Sequence, residues 1–481
     1  MEQGNIRNQQ IRESFDKAEG YHSAAVAQKV VANRLSDYIA RCFADQGLTN
    51  SSFLHSESQN SEPRTILEIG CGTGLLTQQI YRLWPRSSFV ATDYAPRMLE
   101  RAQKIGLDGV RFYQMDVTHP TIEGPFDLIC GNLVFQWLVN PQAVLKQLVK
   151  LLAPNGVIAL STLLKGTFVQ WQKACEEEGV KAGTPDYPTL ADMKAMVPSL
   201  CSGVWKHESF IYPFQSGLAF VRHLKATGAS VPRDGSKPLG TAQFRRVLRR
   251  FDAKGSVVTW EVAYGCFRKP PRVGVFVTGT DTDVGKTIVS ACLVRRWSGS
   301  YWKPLQTGLK HSVGDTATVQ SLACNPICFS PALVCQVALA PEVAARVEGV
   351  RVDLCRLTLP EAAVETPLIV EGAGGVMVPI TSDKMMIDLI SLWGLPVVLV
   401  VRSGLGTLNH TLLTLEALRS RGIALAGIVL NGPENESNKH IIETRGHIRV
   451  LAEIPFSEEI TSRQIDDWAQ KFPAWSELFS D

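Results

Sequence analysis

The sequence of 481 residues lacks a large charge excess, a long apolar segment and paired cysteines. Its 49 lysines and arginines nearly balance 46 aspartates and glutamates, and a net charge of +3 does not indicate a nucleic-acid-binding protein. No apolar run approaches the roughly 20 residues needed to span a bilayer. The run from Leu395 to Val401 is instead predicted to form one buried strand.

Eleven cysteines are scattered along the chain without a Cys-x-x-Cys pair or a zinc-finger arrangement. Several, such as Cys130 and Cys292, lie in apolar runs, which indicates buried thiols in a reducing compartment. The segment Met1 to Asn5 is polar and leads into no apolar core, so no secretory signal is predicted. We therefore expect a cytoplasmic, soluble protein that does not contact membranes or nucleic acid.

Strand-like and helix-like segments alternate in two series, which predicts two α/β domains with largely parallel sheets. The paired prolines in Arg268–Arg272 stiffen the chain and indicate a boundary that gives domains 1–269 and 270–481. Strands of the first domain are predicted at 65–69, 89–92, 110–115, 126–130 and 157–160. Helices are predicted at 96–105 and 141–152, the second ended by Gly156. The second domain has predicted strands at 273–277, 367–370, 396–401 and 424–430, with a helix at 407–421.

Two other regions lack this regular alternation. The stretch from Gln46 to Pro63 is rich in serine and asparagine and is predicted to be a flexible loop. Residues 165–260 contain aromatic helical segments and loops, which favours a cap over the sheet or an edge of it.

A glycine-rich loop, Glu68-Ile69-Gly70-Cys71-Gly72-Thr73-Gly74, follows the first predicted strand and opens a helix. Glycines at Gly70, Gly72 and Gly74 allow a sharp turn and let the backbone approach a ligand closely. The motif alone is equally compatible with a simple strand-to-helix turn.

Polar residues end the next three strands and strengthen the interpretation as a nucleoside site. Asp93 stands where a carboxylate accepts hydrogen bonds from both ribose hydroxyls, and Asp116 where one accepts from an adenine amino group. Asn132 follows the fourth strand, where a substrate is expected. Each acid taken singly is more commonly a helix cap or turn residue, so the ordered series is the evidence.

This order of motifs resembles the class I S-adenosylmethionine methyltransferases, which have a Rossmann-like fold. Nicotinamide dehydrogenases usually carry Gly-x-Gly-x-x-Gly, which is absent here, and the segment Asn132 to Trp137 differs from the motif of nucleic-acid amino methyltransferases. Further segments resemble malonyl-acyl-carrier-protein O-methyltransferase over most of residues 11–265. They are Phe15-x5-Tyr21-x3-Ala25-x2-Gln28, Asn132–Trp137, Leu160–Gly166 and Phe220–Ala229.

The resemblance implies methylation of the free carboxylate of malonyl-acyl-carrier protein or malonyl-CoA by S-adenosylmethionine. A carboxylate is ionised at neutral pH, so the enzyme needs alignment rather than a general base. Tyr21 and Arg222 are candidates for holding that carboxylate, although Tyr21 could equally pack against apolar neighbours and Arg222 could be solvated.

Acyl carrier proteins are acidic, and a basic cluster in this domain is either their docking face or a solvated helix face. The cluster contains Arg233, Lys237, Arg245, Arg246, Arg249 and Arg250.

A second glycine-rich motif lies between a predicted strand and a predicted helix, and it is typical of phosphate binding. Its sequence is Gly279-Thr280-Asp281-Thr282-Asp283-Val284-Gly285-Lys286-Thr287. Backbone amides and the helix N-terminus cradle phosphate, Lys286 neutralises it, and the Thr287 hydroxyl can bind Mg²⁺. Five residues separate the outer glycines where the usual P-loop has four. The predicted second domain is therefore a P-loop NTPase fold with a mainly parallel sheet.

The longer loop resembles that of dethiobiotin synthetase, and further segments match that family in order across about residues 273–460. They are Tyr301–Gly308, Asp315, Glu371–Gly375, Leu430–Asn431 and Glu453–Pro455. The family converts 7,8-diaminopelargonate, CO₂ and ATP to dethiobiotin, ADP and phosphate through a carbamate. It also implies a homodimer formed through the second domain. Residues 320–360 match poorly, so substrate contacts there stay open.

The resemblance assigns a role to each matching position. Lys303 would stabilise the carbamate and the transferring phosphoryl group, Thr307 would bind the diamine substrate, and Thr287, Asp315 and Glu371 would bind Mg²⁺. The implied ATP-binding set consists of Asp283, Val284, Gly285, Lys286, Thr287, Ile288, Asp315, Glu371, Gly372, Ala373, Gly374, Asn431 and Pro455. The corresponding S-adenosylmethionine set is Glu68, Gly70, Gly72, Gly74, Asp93, Asp116 and Asn132.

Two alternatives remain at this point. The second half could be a partition-type regulatory ATPase, although such proteins typically carry an additional lysine near the start of the loop, where this chain has Thr280 and Asp281. The chain could also be a scaffold in which one site has decayed, but both sets of glycines, lysines and acids are intact.

Overall fold

The computed structural model describes residues 2–18, 20–51, 62–198, 201–228, 239–310, 312–360 and 366–479. The chain divides into two compact units, and the second contains the chain from Arg268 onward. Among the described residues, no helix is long and apolar enough to cross a membrane. The eleven cysteines all lie among these residues, and none forms a disulfide bond.

The first unit is built on a seven-stranded sheet in the order β3-β2-β1-β4-β5-β7-β6. Its strands are β1 (Thr65–Ile69), β2 (Ser88–Asp93), β3 (Val110–Gln114), β4 (Phe126–Asn132), β5 (Leu152–Leu163), β6 (Ser202–Pro213) and β7 (Val257–Arg268). Strands β1 to β5 pair in parallel. Strand β1 is almost wholly buried, which explains why its sequence is a continuous apolar run.

In the described part of this unit, ten α-helices accompany the sheet. They are α1 (Glu2–Asp16), α2 (Tyr21–Ala24), α3 (Val26–Ser51), α4 (Leu75–Leu83), α5 (Pro96–Gln103), α6 (Pro141–Lys150), α7 (Val169–Glu176), α8 (Leu190–Ala195), α9 (Gly217–Ala226) and α10 (Thr241–Ala253). A 3₁₀ helix spans Phe135–Trp137. Local signals set the boundaries: Asn140 caps α6 by accepting from Ala143 N at 3.0 Å, and Pro141 begins the helix.

The second unit has an all-parallel seven-stranded sheet in the order β11-β9-β13-β8-β14-β15-β16. A separate parallel pair joins β10 to β12. The strands are β8 (Gly274–Gly279), β9 (Ser300–Trp302), β10 (Leu305–Gln306), β11 (Cys328–Phe329), β12 (Leu333–Val334), β13 (Leu368–Gly375), β14 (Val397–Arg402), β15 (Leu425–Asn431) and β16 (Val450–Ile454).

The helices of this unit cover two apolar clusters against the sheet. They are α11 (Lys286–Trp297), α12 (Asp315–Leu322), α13 (Pro341–Val347), α14 (Met386–Trp393), α15 (Thr407–Ser420), α16 (Glu436–Gly446) and α17 (Ser462–Ala469), with 3₁₀ helices at Leu354–Arg356 and Trp475–Phe479. The predicted α/β class with mainly parallel sheets is confirmed in both units.

Two local predictions were wrong. Gly156 does not end the helix before it, because that helix ends at Lys150 and β5 already begins at Leu152. A Cβ at Gly156 would lie 2.8 Å from the carbonyl oxygens of Ala153 and Phe126, so close backbone packing requires the glycine. The loop predicted from Gln46 is helical through Ser51, where α3 ends, and residues 52–61 lie outside the described chain.

The region 165–260 is more ordered than expected. It contributes β6, the start of β7 and helices α7 to α10. Strand β6 lies at one end of the sheet order, so the predicted sheet edge is confirmed.

Candidate active sites

The first candidate site lies at the carboxyl ends of β1 to β4. The strand order reverses between β1 and β4, and open α/β sheets bind ligands at such a point. A cavity of about 860 Å³, partly open to solvent, lies there. Six predicted residues line it, namely Tyr21, Gly70, Gly72, Asp93, Asp116 and Asn132.

The glycine loop leaves its backbone open to this cavity. Gly70 and Gly72 have φ of 59° and 56°, which favour glycine. A Cβ at Gly70 would lie 2.4 Å from Val134 Cγ2, whereas a Cβ at Gly72 would meet only Tyr21 Oη at 4.0 Å. The main chain at Gly72 is therefore exposed to a ligand that a side chain there would displace.

Asp93 fixes the loop in place. One carboxylate oxygen accepts from Gly72 N at 2.7 Å and the other from Ala95 N at 2.8 Å. Burial raises the pKa of Asp93 to about 6, although those two amides lower it. Each carboxylate oxygen has a second lone pair, so the group can still accept from ligand hydroxyls.

Asp116 follows β3 and Asn132 ends β4, and both line the cavity from their strand ends. Asp116 Oδ1 accepts from Thr118 N at 2.8 Å and from Thr118 Oγ1 at 2.7 Å. Asn132 accepts from Ser161 Oγ at 2.8 Å and donates to Gln28 O at 3.2 Å. Asn132 therefore ties the end of β4 to helix α3 as well as lining the cavity.

Glu68, next to the glycine loop, is only 1% exposed. Among the described residues, its carboxyl oxygens make no hydrogen bond of good geometry, although the hydroxyl and backbone amide of Thr77 lie close by. Burial raises the pKa of Glu68 to about 8, and the neighbouring Thr77 offsets this only in part. Glu68 is therefore largely protonated at neutral pH, and a cationic ligand close by would favour its ionised form. Gly74 (φ 81°) is the N-cap of α4 and, like Glu68, does not line the cavity.

The two predicted substrate residues lie in different surroundings. Tyr21 lines the cavity, and burial followed by the charge of Asp93 raises the pKa of its hydroxyl, which therefore stays protonated. Arg222 is exposed on α9 and is not among the cavity-lining residues, so its contact with substrate remains a prediction. Sequence reasoning missed Arg12, the one arginine or lysine in that lining, whose guanidinium lies 5.4 Å from the ring centroid of Tyr94.

The second candidate site lies at the carboxyl ends of β8, β9, β13 and β15, where the predicted P-loop joins β8 to α11. Gly285 has φ of 95° and caps α11, and Asp283 also has positive φ, at 54°. Lys286 Nζ donates to Asp281 O at 2.9 Å. Asn431 Nδ2 donates to Val284 O at 2.9 Å, so the end of β15 supports the loop. Ile288 continues α11, half-buried against the core.

Four predicted residues form one connected cluster beside this loop. Thr287 Oγ1 donates to Asp315 Oδ1 at 3.1 Å or to Glu371 Oε1 at 3.0 Å. Lys303 Nζ lies 2.9 Å from Glu371 Oε1 and 2.6 Å from Asp315 Oδ2, and it donates to Gly372 O at 3.1 Å. Lys303 is 4% exposed and Glu371 is 1% exposed, whereas Thr287 and Asp315 are half-buried, so the cluster is shielded from water only on its inner side.

The buried charges of this cluster change one another's pKa values. Burial lowers the pKa of Lys303, but the carboxylates of Glu371 and Asp315 outweigh it and raise the pKa above its ordinary value. Burial raises the pKa of Asp315, and Lys303 more than reverses that shift. Burial and repulsion from Lys303 lower the pKa of Lys286. Lys303 is therefore firmly protonated between two carboxylates.

The remaining predicted residues lie around this cluster with fewer contacts. Gly374 (φ 65°) and Ala373 continue β13, and a Cβ at Gly374 would lie 2.6 Å from Val378 Cγ2. Thr307 follows β10 and is half-buried, while Pro455 follows β16 and is exposed. Sequence reasoning gave no role to Tyr301, whose hydroxyl donates to Glu371 Oε2 at 2.9 Å.

Two arginines of the basic cluster form ion pairs with an acidic residue, and two others do not. Arg246 and Arg250 on α10 both bind Glu178, with Nε to carboxylate distances of 2.7 and 2.9 Å. Arg245 and Arg249 are exposed on the same helix and have no acidic partner among the described residues. Arg233 and Lys237 lie outside the described residues.

Two protein families match separate parts of the chain. A family described as methyltransferase domain matches residues 67–158, and a family described as AAA domain matches residues 273–464. The first match spans strands β1 to β4 and part of β5, and the second spans the sheet of the second unit.

Three relatives extend these matches. A protein from Bordetella avium named biotin biosynthesis bifunctional protein BioCD is 44% identical over 99% of this chain and 98% of its own. An ATP-dependent dethiobiotin synthetase from Paramagnetospirillum magneticum is 50% identical over 40% of this chain and 92% of its own. A malonyl-[acyl-carrier protein] O-methyltransferase from Magnetococcus marinus is 34% identical over 55% of this chain and 93% of its own. The chain therefore belongs to the family of bifunctional biotin biosynthesis proteins.

Proposed function

We propose that this chain is a two-enzyme protein of biotin biosynthesis. Its first half methylates the free carboxylate of a malonyl thioester with S-adenosylmethionine. Its second half is an ATP-dependent dethiobiotin synthetase that closes a ureido ring from 7,8-diaminopelargonate and CO₂. The observation that carries this proposal is the 44% identity to a bifunctional relative across 99% of the chain. A partition-type ATPase is not favoured, because the relatives matched by the second half are dethiobiotin synthetases.

The residues of the first site suit S-adenosylmethionine. The sulfonium supplies an electrophilic methyl group, and the open backbone at Gly72 offers room for the ligand. Asp93 would bind the ribose hydroxyls, Asp116 the adenine amino group, and Glu68 would favour the positive charges of the ligand. Gly70, Gly74 and Asn132 would keep the loop and the end of β4 in the shape that receives it.

Tyr21 would hold the malonyl carboxylate against the methyl donor. Its hydroxyl remains protonated, so it donates a hydrogen bond and does not act as a base. The described residues that line the cavity include no histidine that could act as a base, and a nucleophile that is already ionised needs none. Arg222 is retained as a second, untested candidate for this contact.

The residues of the second site suit ATP and Mg²⁺. Amides of the loop from Asp283 to Ile288 would cradle phosphate, with Lys286 neutralising it. Thr287, Asp315 and Glu371 present three oxygen groups, and the Thr287 hydroxyl lies within hydrogen-bond distance of both carboxylates. Oxygen ligands of this kind are the ones that Mg²⁺ prefers. When bound, Mg²⁺ would offset negative charge on the phosphates.

Lys303 would stabilise the carbamate and the transferring phosphoryl group by its fixed positive charge. Thr307 would contact the diamine. The segment Gly372–Gly374 would line the phosphate side, and Asn431 and Pro455 the adenine side. Cytoplasmic location and a homodimer through the second unit stay predictions.

We also propose that the two activities separate at residues 269 and 270. Fragments 1–269 and 270–481 would be expressed apart and assayed beside the intact chain. The first fragment is expected to methylate malonyl-acyl-carrier protein and the second to form dethiobiotin and ADP, each at the rate of the intact chain. Neither product is the other's substrate, so no loss from broken channelling is expected. An ATP hydrolysis rate that does not change when the diamine is added would instead contradict the synthetase assignment.

The acidic carrier protein is expected to dock on Arg245 and Arg249, since Arg246 and Arg250 already bind Glu178. The double charge reversal Arg245→Glu and Arg249→Glu should raise KM for malonyl-acyl-carrier protein roughly tenfold at low salt, with a smaller effect at high salt. The KM for malonyl-CoA serves as the internal control and should not change. An unchanged, salt-independent KM for the carrier substrate would remove this docking face.

A further inference from the structure

Tyr301 lies beneath the cluster of Lys303, Thr287 and Glu371, at its interior side. Strands β9 and β13 are parallel neighbours, and Tyr301 pairs with Ile369. Alternate residues of a strand point to the same face, so Tyr301 and Ile369 share a face with Lys303 and Glu371. This register brings the phenol within reach of the Glu371 carboxylate.

The two oxygens of Glu371 have different partners. Oε1 accepts from Thr287 Oγ1 at 3.0 Å and from Lys303 Nζ at 2.9 Å. Among the described residues, Oε2 accepts only from Tyr301 Oη, at 2.9 Å. Tyr301 is fully buried, so a water molecule could not readily replace its hydroxyl as the donor to Oε2. The phenol therefore determines which oxygen of Glu371 faces Thr287.

We infer that Tyr301 is a positioning residue for the divalent cation: it holds Glu371 by Oε2 so that Oε1 is directed toward Thr287 and Asp315. This inference rests on the magnesium site of the proposed function. A neutral donor suits the role, because it satisfies the buried oxygen without cancelling the negative charge that the cation needs. A second lysine in its place would satisfy the oxygen but would compete with the cation.

The test is Mn²⁺ binding by the intact chain, followed by electron paramagnetic resonance, for the wild type and Tyr301→Phe. Removal of this hydroxyl is expected to weaken Mn²⁺ binding roughly 10–100-fold, the usual effect of losing a group that orients a metal ligand. Binding of ADP without metal should be unchanged, because Tyr301 bonds to none of the P-loop residues Gly279–Thr287. This difference separates orientation of a metal ligand from general damage to the site.

Tyr264→Phe is the matched control. Tyr264 is also buried, but its hydroxyl has no hydrogen-bond partner among the described residues, so its removal should leave Mn²⁺ affinity unchanged. Wild-type Mn²⁺ affinity in Tyr301→Phe would overturn the inference, because the hydroxyl would then not position a metal ligand. Loss of cooperative unfolding in this variant would also overturn it, because the hydroxyl would then serve only to maintain the fold. A wild-type chain that neither binds Mn²⁺ nor makes dethiobiotin would overturn the proposed function itself.

Discussion

Replacing Lys303 by methionine is expected to lower the rate of dethiobiotin formation roughly 10²–10³-fold, the range found when one fixed charge-stabilising group is removed from an active site. Methionine keeps most of the volume and removes the charge together with its hydrogen bonds to Glu371 and Gly372 O, so the substitution probes polar interactions rather than packing. Lys303 lies 2.9 Å from Glu371 Oε1 and 2.6 Å from Asp315 Oδ2. The rate at saturating ATP, diamine and bicarbonate is the measurement.

Two controls accompany this variant. Lys310→Met removes an exposed lysine of the same unit and should leave dethiobiotin formation unchanged. The methyltransferase rate of Lys303→Met should equal that of the wild type, because the two sites lie in separate units. A loss smaller than about tenfold would contradict the role given to Lys303, since even a single hydrogen bond to a charged group is usually worth more.

Replacing Asp93 by alanine is expected to weaken S-adenosylmethionine binding roughly 10²–10⁴-fold, measured by titration calorimetry. The carboxylate would supply two charged hydrogen bonds to ribose, each typically worth about 1.5–3 kcal/mol. The same substitution also frees Gly72 N and Ala95 N, which Asp93 holds at 2.7 and 2.8 Å. Methyl transfer should fall with affinity, while dethiobiotin formation should not change.

Asp93→Asn separates the two contributions, because the amide keeps one acceptor oxygen but loses the charge. Its effect should lie between those of the wild type and Asp93→Ala. Asp108→Ala, which removes an exposed carboxylate from the same unit, is the control and should bind S-adenosylmethionine normally. Normal binding by Asp93→Ala would show that the ligand does not contact this strand end.

Nine strands were predicted from the sequence, because most of these are buried on both faces and therefore appear as continuous apolar runs. Strands β6, β7 and β16 and the short strands β10, β11 and β12 were not predicted. The end of β5 nearest α6 was misjudged for a physical reason. Two carbonyl oxygens lie so close to Gly156 that only glycine fits there. In a sequence, a glycine required by such close packing cannot be distinguished from a glycine that ends a helix. The helix beyond Gln46 was missed because its serine and asparagine residues favour turns only weakly.

The motif residues lie together because the carboxyl ends of parallel strands meet at one edge of a sheet. Contacts that depend on the register between paired strands, or on the rotation of a helix about its axis, could not be predicted from the sequence. Tyr301 reaches Glu371 only through the pairing of β9 with β13, although its spacing of two from Lys303 was a usable signal. Arg222 matched a family motif, yet the motif does not specify which way α9 turns its side chains, and Arg12 lines the cavity instead.

The bond between Asn431 and the P-loop also limits how the sequence can change over evolution. A Cβ at position 285 would lie 2.0 Å from Asn431 Nδ2, so no side chain is compatible with the present asparagine. A smaller residue at 431 would create room but would remove the hydrogen bond to Val284 O. Gly285 also has φ of 95°, which strains any other residue even where there is room, so descendants should retain both residues, although they lie 146 residues apart in the chain.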